Sequence, residues 1–362
     1  MPDPELALFR AYPAAQAKLC RAAFVKTPTP VGELELDWPG FSGGRLYVKR
    51  DERSCEAYGG NKPRKLEFVI GNALQRRAHT LVTTGALGTN HGLATTILGR
   101  AAGLKTILVL VHQPITKTVR ETLLLQAAYG ARQVYGAHVP GAALQTLRVL
   151  AGAMLRGERP LLVPTGGSSA HGNLGFVSAG LELAEQVRAG VLPEPTEIYV
   201  PVGSGGTLAG LVLGLRLGQL RSRALGVLVT DILPPSPARL ARAARRCLLL
   251  LRRADPSVPA LKIVPEDFPL VTNELGPGYG APTPAALEAV ELAARAGLLL
   301  DVTYAGKCLA AIVNRGRRQE LGRGPILFWN TYNAVDPALG APRRVQFEEL
   351  PGPIRRVLAR AN

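Results

Sequence analysis

The sequence is poor in aromatic residues, in cysteine and in long apolar runs, and each shortage narrows what the chain can be. Phe, Trp and Tyr make up 5% of the 362 residues, so aliphatic side chains must fill the core. The four cysteines have neither metal-ligand nor disulfide spacing, which predicts a reducing compartment and no metal site. No apolar run approaches the roughly 20 residues that span a bilayer, and the N-terminal MPDPELALFR lacks the apolar segment of a signal peptide. We therefore expect a soluble, cytoplasmic protein that does not insert into membranes.

Acidic residues are scarce as well. Against 43 lysines and arginines stand 27 aspartates and glutamates, which gives a net charge of +16. Such a charge could attract nucleic acid. The arginines are scattered, however, and few aromatics are available to stack on bases, so a nucleic-acid partner is not favoured. The densest cluster, RLARAARRCLLLLRR from Arg239 to Arg253, has the spacing of an amphipathic helix with one solvated face. The positive field would also favour an anionic substrate or cofactor.

Apolar strand-like segments alternate with helix-like segments along the chain. HTLVTTG, KTILVLV and EIYVPVG are apolar throughout, whereas RKLEFVIGNALQRR has helical periodicity. This alternation predicts an α/β fold with a mostly parallel sheet covered by helices on both faces. Residues 254–282 are rich in proline and glycine and predict a long irregular connection. Since open α/β sheets bind ligands at the carboxyl ends of their strands, the turns after strands are the first places to search for a site.

The clearest such turn lies in YVPVGSGGTLAGLVLG, from Tyr199 to Gly214. An apolar strand ends there and a helix of small residues begins. Its glycines, Gly205 and Gly206, allow close approach of a ligand to the backbone, and the helix N-terminus presents unpaired N–H groups. Ser204 and Thr207 add hydroxyl groups, so the turn predicts a phosphate cradle. The pattern is neither a dinucleotide fingerprint nor a P-loop, and a tight turn that binds nothing is the alternative.

The stretch GGNKPRKLEF, from Gly59 to Phe68, places two lysines at the predicted start of a helix. Proline favours the first helical position, so Pro63 is predicted as N1 and Lys62 as a cap residue in extended backbone. Lys65 then falls near N3. A lysine at the positive end of a helix has a lowered pKa and is more often the neutral amine that a Schiff-base lysine needs. A lysine exposed on the surface is the alternative, but a lysine nucleophile together with a phosphate cradle indicates pyridoxal phosphate.

A third turn, TTGALGTNHG, follows the predicted strand TLVTT. Asn90 could cap the next helix, or its side-chain amide could donate to the phenolate oxygen of the cofactor. Thr89 could bind a substrate carboxylate through its hydroxyl and the neighbouring helix-end amides. The residues alone leave these alternatives open.

Several segments, in the order in which they occur, resemble one enzyme family. KRDE followed by GGNKPRKLEF is the most specific, and PTGGSSAHGNLGFVSAGLEL, GSGGTLAG, GPGYGAPTPAALEAV and LLLDVTYAGKCLA follow it. Over about residues 5–335 the chain resembles the fold type II pyridoxal-phosphate enzymes, specifically the family of D-cysteine desulfhydrase and 1-aminocyclopropane-1-carboxylate (ACC) deaminase. The resemblance implies an α/β homodimer with two open, twisted, mostly parallel sheets flanked by helices. It also implies a large cofactor-binding domain (1–64 and 166–362) and a small inserted domain (65–165).

The same resemblance implies the site residues. Lys62 would hold pyridoxal 5'-phosphate covalently, Asn90 would face the phenolate oxygen, and Ser204, Gly205, Gly206 and Thr207 would bind the phosphate. Thr89, Tyr279 and Tyr304 are the implied catalytic partners of Lys62, and Thr331 is the implied neighbour of the ring nitrogen. The partner of the site would be a small amino acid.

Departures from the family pattern bear on the substrate. After Tyr304, deaminases of the family carry glutamate and desulfhydrases a small hydroxyl residue, whereas this chain has Ala305. Thr331 matches the desulfhydrase pattern, but Tyr332 and Asn333 replace two glycines. We predict α,β-elimination, as in conversion of D-cysteine to pyruvate, ammonia and sulfide. The alternatives are an ACC deaminase-like or β-replacement enzyme acting on an unusual amino acid, and a non-catalytic homologue that binds the cofactor.

Overall fold

The chain divides into two compact units. The structure is a computed structural model that describes residues 5–37 and 46–360, so the first four residues of the N-terminal MPDPELALFR lie outside it. The first unit comprises the described residues of Met1–Leu19, Val25–Lys65 and Ser168–Val335. The second comprises Cys20–Phe24, Leu66–Gly167 and the described residues from Asp336 onward.

The first unit contains a sheet with the strand order β1-β2-β10-β7-β8-β9. Strand β1 pairs antiparallel with β2, and the other pairs are parallel. The strands are β1 (Val31–Glu33), β2 (Leu46–Arg50), β7 (Glu197–Val202), β8 (Arg223–Leu228), β9 (Leu270–Val271) and β10 (Ile326–Asn330).

Helices cover this sheet. They are α1 (Ala7–Ala11), α2 (Pro13–Gln16), α7 (Ala170–Arg188), α8 (Gly206–Leu217), α9 (Pro237–Ala254), α10 (Pro284–Arg295) and α11 (Ala305–Arg317). Tyr199 of β7, Phe328 of β10 and Leu309 of α11 belong to one buried cluster, so the sheet and helices share a core. Helix α9 confirms the predicted amphipathic helix, with Cys247 buried and Arg245 exposed.

The second unit has an all-parallel sheet in the order β5-β4-β3-β6. Its strands are β3 (Thr80–Ala86), β4 (Lys105–Val111), β5 (Arg132–Ala137) and β6 (Pro160–Val163), and its helices are α4 (Asn90–Ala101), α5 (Lys117–Ala128), α6 (Val139–Leu155) and α12 (Gly352–Ala359). Helix α3 (Asn61–Gln75) begins in the first unit and continues into the second.

These sheets confirm the predicted α/β class with two open, mostly parallel sheets flanked by helices. The predicted irregular connection over 254–282 is interrupted by a turn of 3₁₀ helix at Pro265–Asp267 and by β9. The domain boundaries stay a prediction; the structure groups the C-terminal segment with the second unit, where Ile354 and Leu358 pack against Leu108 of β4. Of the helices that the structure describes, none combines the length and the apolar character needed to cross a bilayer.

A buried ionic network fixes the backbone that leads to Lys62. Arg64 binds Asp51 at 2.9 Å and Glu182 of α7 at 3.0 Å, and Lys49 of β2 binds Glu182 at 2.5 Å. The indole N–H of Trp329 donates to Asp51 at 2.8 Å. Burial alone would raise the pKa of Glu182, but Arg64 and Lys49 outweigh it and lower that pKa to about 2. The network therefore joins β2, β10 and α7 to the first turn of α3.

We expect Glu182→Gln to lower the free energy of unfolding by about 3–5 kcal/mol, because it leaves the buried Lys49 without its carboxylate partner and Arg64 with Asp51 alone. Glu185→Gln is the matched control on the same helix: Glu185 pairs with Arg10 at the surface, and such a pair contributes about 0–1 kcal/mol. Urea unfolding of both variants gives the comparison. The stability that Glu182 contributes is present above pH 4.5, the ordinary pKa of its carboxyl, and is lost as the pH falls toward 2. Equal losses in the two variants would contradict the prediction.

Candidate active site

The glycine turn after β7 forms a cradle of hydroxyl and amide groups. Gly205 adopts a left-handed conformation with φ +85° and reverses the chain direction, so that α8 begins at Gly206. The hydroxyls of Ser204 and Ser168 are hydrogen-bonded at 2.7 Å, and the backbone N–H of Gly206 donates to the Ser168 hydroxyl at 3.2 Å. An N–H group at the head of a helix and two hydroxyls thus converge at one point. This arrangement suits an anion.

Lys65 places an amine at the same cradle. Its Nζ donates to the Ser168 hydroxyl at 2.8 Å, and its side chain is buried. Burial, and then the nearby Lys62, lower the pKa of Lys65 well below its ordinary value. An anion bound here would favour the charged form of this amine. From the sequence, Lys65 was predicted only to lie at the start of a helix, and Ser168 had no predicted role, although it lies in the family-like segment PTGGSSAHG.

The absence of a side chain at Gly206 keeps the cradle open. A Cβ atom built there would lie within 3.0 Å of the Ser168 hydroxyl, the Asn173 side chain and Lys65 Nζ. By contrast, a Cβ at Gly205 would meet Leu240 of α9 and Pro235. Gly206 therefore preserves the space among the polar groups, whereas Gly205 allows the turn itself.

Lys62 lies inside helix α3, so its predicted position as a cap residue in extended backbone was wrong. The helix begins two residues before Pro63 because Gly60, with φ +80°, turns the chain just ahead of Asn61. Proline is tolerated in the first turn because its missing N–H would have no partner there. Lys62 Nζ donates to Asn61 Oδ1 at 2.7 Å, and Asn61 Nδ2 donates to the Thr207 hydroxyl at 3.1 Å. Asn61 thus connects the lysine to the cradle.

The amine of Lys62 loses its proton more readily than an ordinary lysine. Burial lowers its pKa from 10.5 to about 8, while the carboxylate of Asp301 acts in the opposite direction. The predicted direction is confirmed, but the leading cause is desolvation rather than the helix dipole. A substantial fraction of this amine is therefore neutral near pH 8, as a nucleophile requires.

Two tyrosines stand beside this amine. Lys62 Nζ lies 5.9 Å from the centre of the Tyr304 ring. The hydroxyls of Tyr304 and Tyr279 are 2.7 Å apart, and their rings meet edge to face. Burial raises the pKa of both phenols, and for Tyr304 the neighbouring Tyr279 adds to the effect. Both hydroxyls therefore keep their protons at neutral pH and can donate or relay one.

The segment after β10 holds the loop that precedes Lys62. The carbonyl of Thr331 accepts the backbone N–H of Asn61 at 3.4 Å, and Asn333 Oδ1 accepts the backbone N–H of Gly59 at 2.7 Å. Tyr332 packs against the core of the first unit. Asn333, which replaces a family glycine, thus fixes the loop and does not merely fill space.

Ala305 is buried at the head of α11. The nearby carboxylate of Asp301 accepts the backbone N–H groups of Thr303, Tyr304 and Ala305 at 2.8–3.1 Å. Asp301 is therefore engaged in capping this helix, and its pKa is raised chiefly by burial.

Thr89 and Asn90 belong to the second unit. Thr89 is the N-cap of α4, since its hydroxyl accepts the backbone N–H of Gly92 at 3.2 Å, and Asn90 is the first helical residue. The capping role considered for Asn90 therefore falls to Thr89. The Thr89 hydroxyl keeps its proton available for donation. The roles of both residues toward cofactor and substrate stay predictions.

Within the first unit, the structure brings the other predicted residues together around Lys62 and the cradle.

The family model described as "Pyridoxal-phosphate dependent enzyme" matches residues 23–331. A crystal structure described as an ACC deaminase homologue is 29% identical, with a TM-score of 0.74, over 92% of this chain and 95% of that one. A pyridoxal 5'-phosphate-dependent aspartate racemase (20% identity, TM-score 0.57, 94% and 99% coverage) and a threonine deaminase from T.th. (20%, 0.57, 95% and 100%) have the same fold.

Proposed function

The chain belongs to the family of pyridoxal-phosphate dependent enzymes, and from that premise we propose that it is a lyase that performs α,β-elimination on a small amino acid. D-cysteine, converted to pyruvate, ammonia and sulfide, is the proposed substrate. The observation that carries the proposal is Lys62, an amine with a pKa of about 8 beside the Tyr279–Tyr304 pair. Such an amine can act as both nucleophile and base near neutral pH.

Pyridoxal 5'-phosphate supplies an aldehyde that captures amines and a ring that accepts electrons. The donor set of the first unit fits its phosphate: Ser204, the N–H of Gly206, Thr207 and the amine of Lys65 lie at the cradle, and Lys65 borders the space that a Cβ at Gly206 would fill. We propose that Ser168 joins these groups, since its hydroxyl already contacts three of them.

Lys62 performs two tasks in this proposal. Its neutral amine holds the cofactor and gives way to the amine of the substrate. Once released, the amine lies close to Tyr304 and takes the α-proton of the substrate. Asn61, which binds Lys62 Nζ at 2.7 Å, orients the amine for both tasks.

The tyrosines assist the departure of the β-substituent. Their raised pKa values keep both phenols protonated, so Tyr304 or Tyr279 can donate a proton to a leaving thiolate. The short contact of 2.7 Å between the hydroxyls allows the donated proton to be replaced from the partner. The unsaturated product then hydrolyses in water to a keto acid and ammonia.

The proposed function is tested by mixing the purified, cofactor-loaded protein with D-cysteine, β-chloro-D-alanine and their L-enantiomers. Release of keto acid together with sulfide or chloride is the expected result. If none of these substrates yields a keto acid, the elimination proposal is overturned.

We also propose that the enzyme is a homodimer and that it is cytoplasmic. Light scattering tests the first proposal, and fractionation of the source cell tests the second.

We expect Gly206→Ala to weaken cofactor binding by about 1–3 kcal/mol, the usual cost of overpacking a filled site. The added methyl would project among Ser168, Asn173 and Lys65. Titration of the cofactor-free protein with pyridoxal phosphate, followed by absorbance, gives the affinity.

Gly32→Ala is the matched control, because a Cβ at Gly32 meets no atom within 4 Å. Its affinity for the cofactor should equal that of the wild type. The unfolding midpoints of both cofactor-free variants separate a binding effect from general destabilisation. Unchanged affinity in Gly206→Ala would remove the phosphate from this cradle.

An ACC deaminase-like activity is the second candidate, favoured by the likeness to a structure described as an ACC deaminase homologue. A β-replacement enzyme acting on an unusual amino acid is a further alternative, motivated by Tyr332 and Asn333. A non-catalytic homologue is disfavoured, because the hydrogen-bonded pair of Tyr279 and Tyr304 beside Lys62 has no purpose in a protein that only binds the cofactor.

A further inference from the structure

Lys307 is a buried cation in an unfavourable place. It is the third residue of α11, and its side chain is 0% exposed. Burial of an ammonium group is costly unless hydrogen bonds compensate for it, and the positive end of a helix disfavours a cation further. Burial accordingly lowers the pKa of Lys307, while the carboxylates of Asp231 and Asp301 act in the opposite direction.

The amine of Lys307 holds the loop of residues 272–281, which contains Tyr279 and is called the Tyr279 loop below. Lys307 Nζ donates to the backbone carbonyl of Leu275 at 2.7 Å and to that of Gly278 at 3.2 Å. Gly278 directly precedes Tyr279, and Leu275 lies earlier in the same loop. A charged donor makes stronger hydrogen bonds than a neutral one, so the two bonds fix the backbone on both sides of residues 276–277.

The loop has little internal support of its own. Gly276, Gly278 and Gly280 all have positive φ, at +64°, +144° and +79°. The backbone bonds that close it, from Leu275 N–H to Thr272 and from Ala281 N–H to Gly278, are both long at 3.4 Å. A glycine-rich segment of this kind has many accessible conformations, so its conformation depends on groups outside it.

Asp231, which follows β8, provides a second attachment. Its Oδ1 accepts the backbone N–H of Tyr279 at 3.0 Å. Lys307 therefore binds the carbonyls before Tyr279, and Asp231 binds the amide of Tyr279 itself. Tyr279 in turn places its hydroxyl 2.7 Å from that of Tyr304, whose ring faces Lys62 Nζ.

We propose that Lys307 and Asp231 are positioning residues that hold the Tyr279 loop so that the Tyr279 hydroxyl remains hydrogen-bonded to Tyr304 beside Lys62. The effect on turnover rests on the proposed function, in which these tyrosines donate a proton. The tether, meaning the hydrogen bonds from Lys307 and Asp231 to the Tyr279 loop, does not depend on which substrate the enzyme uses.

The tether is tested without substrate by hydrogen exchange. In the cofactor-loaded enzyme, Lys307→Met keeps the length of the side chain but removes its donors, and Asp231→Ala removes the acceptor of the Tyr279 amide. We expect amide exchange in residues 272–281 to quicken roughly tenfold or more in both variants. Asp231→Asn retains an acceptor oxygen and should restore slow exchange. Unchanged exchange in Lys307→Met and Asp231→Ala would overturn the proposal.

Kinetics test whether the tether acts through Tyr279. With β-chloro-D-alanine we expect Asp231→Ala and Lys307→Met to lower kcat roughly 10–100-fold, as a misplaced catalytic group does, with little change in KM. In a Tyr279→Phe background the same changes should cost less than threefold. Full additivity would show that these residues do not act through Tyr279.

Misfolding of a variant and absence of turnover in the wild type can both be distinguished from a failure of the tether. If Lys307→Met does not fold, the exposed Asp231 carries the test with Asp231→Ala alone. If the wild type turns over no eliminable substrate, the proposed function fails, and the exchange experiment still decides the tether.

Discussion

Lys62→Ala is expected to lower turnover by roughly 10²–10⁴-fold, the range that a positioned proton-transfer group contributes. The variant loses the amine whose pKa burial has lowered to about 8 and which lies 5.9 Å from the centre of the Tyr304 ring. The fold should persist, because the buried ionic network that anchors α3 uses the neighbouring Arg64. Circular dichroism and keto acid release, measured on the same preparation, check both expectations.

Chemical labelling identifies the lysine directly. Borohydride makes the bond between lysine and cofactor permanent, and peptide mapping should then find the reduced cofactor on Lys62. Lys65 and Lys307 are the internal controls, since both are buried lysines of the first unit. A label on either would show that the nucleophile assignment is wrong. Because only the neutral amine reacts, capture of cofactor by the cofactor-free protein should quicken as the pH rises through about 8.

Much of this architecture could be predicted because it depends on local sequence. Apolar runs such as KTILVLV coincide with β4, and the glycine turn after β7 lies where the pattern of strand, glycines and helix placed it. The start of α3 was misplaced because the rule that proline occupies N1 is statistical. The positive φ of Gly60, which lets the helix begin earlier, cannot be read from the sequence.

The contacts that complete the site could not be predicted, because they join distant parts of the chain. Ser168 meets Ser204 across 36 residues, and Asn333 meets Gly59 across 274. A sequence shows which residues can form hydrogen bonds but not which of them meet. Asn333 illustrates the difference: in the sequence it is only a replacement for a family glycine, whereas its contacts show that it holds the loop that precedes Lys62.

A second large difference is expected between the turnover of substrates with a β-leaving group and the turnover of ACC. On the proposed assignment Ala305 would offer no carboxylate to the ring nitrogen, and Asp301 is occupied by three backbone N–H groups at the head of α11. On the same assignment, a ring without an acid partner would be a weak electron sink, which would suffice for a good β-leaving group but not for expulsion of carbon from ACC. We expect the wild type to process β-chloro-D-alanine and D-cysteine roughly 100-fold faster than ACC, which corresponds to about 2.8 kcal/mol of barrier.

The double variant Ala305→Glu with Thr331→Leu should narrow that ratio roughly tenfold if ring electronics decide it, about 1.4 kcal/mol. Tyr332→Gly is the steric control: it removes the bulk that replaces a family glycine while keeping Asn333, whose side chain holds Gly59. A gain for ACC in Tyr332→Gly but not in the double variant would assign the selection to space rather than charge. Faster turnover of ACC than of both eliminable substrates in the wild type would refute the desulfhydrase-like function and leave the deaminase as the better hypothesis.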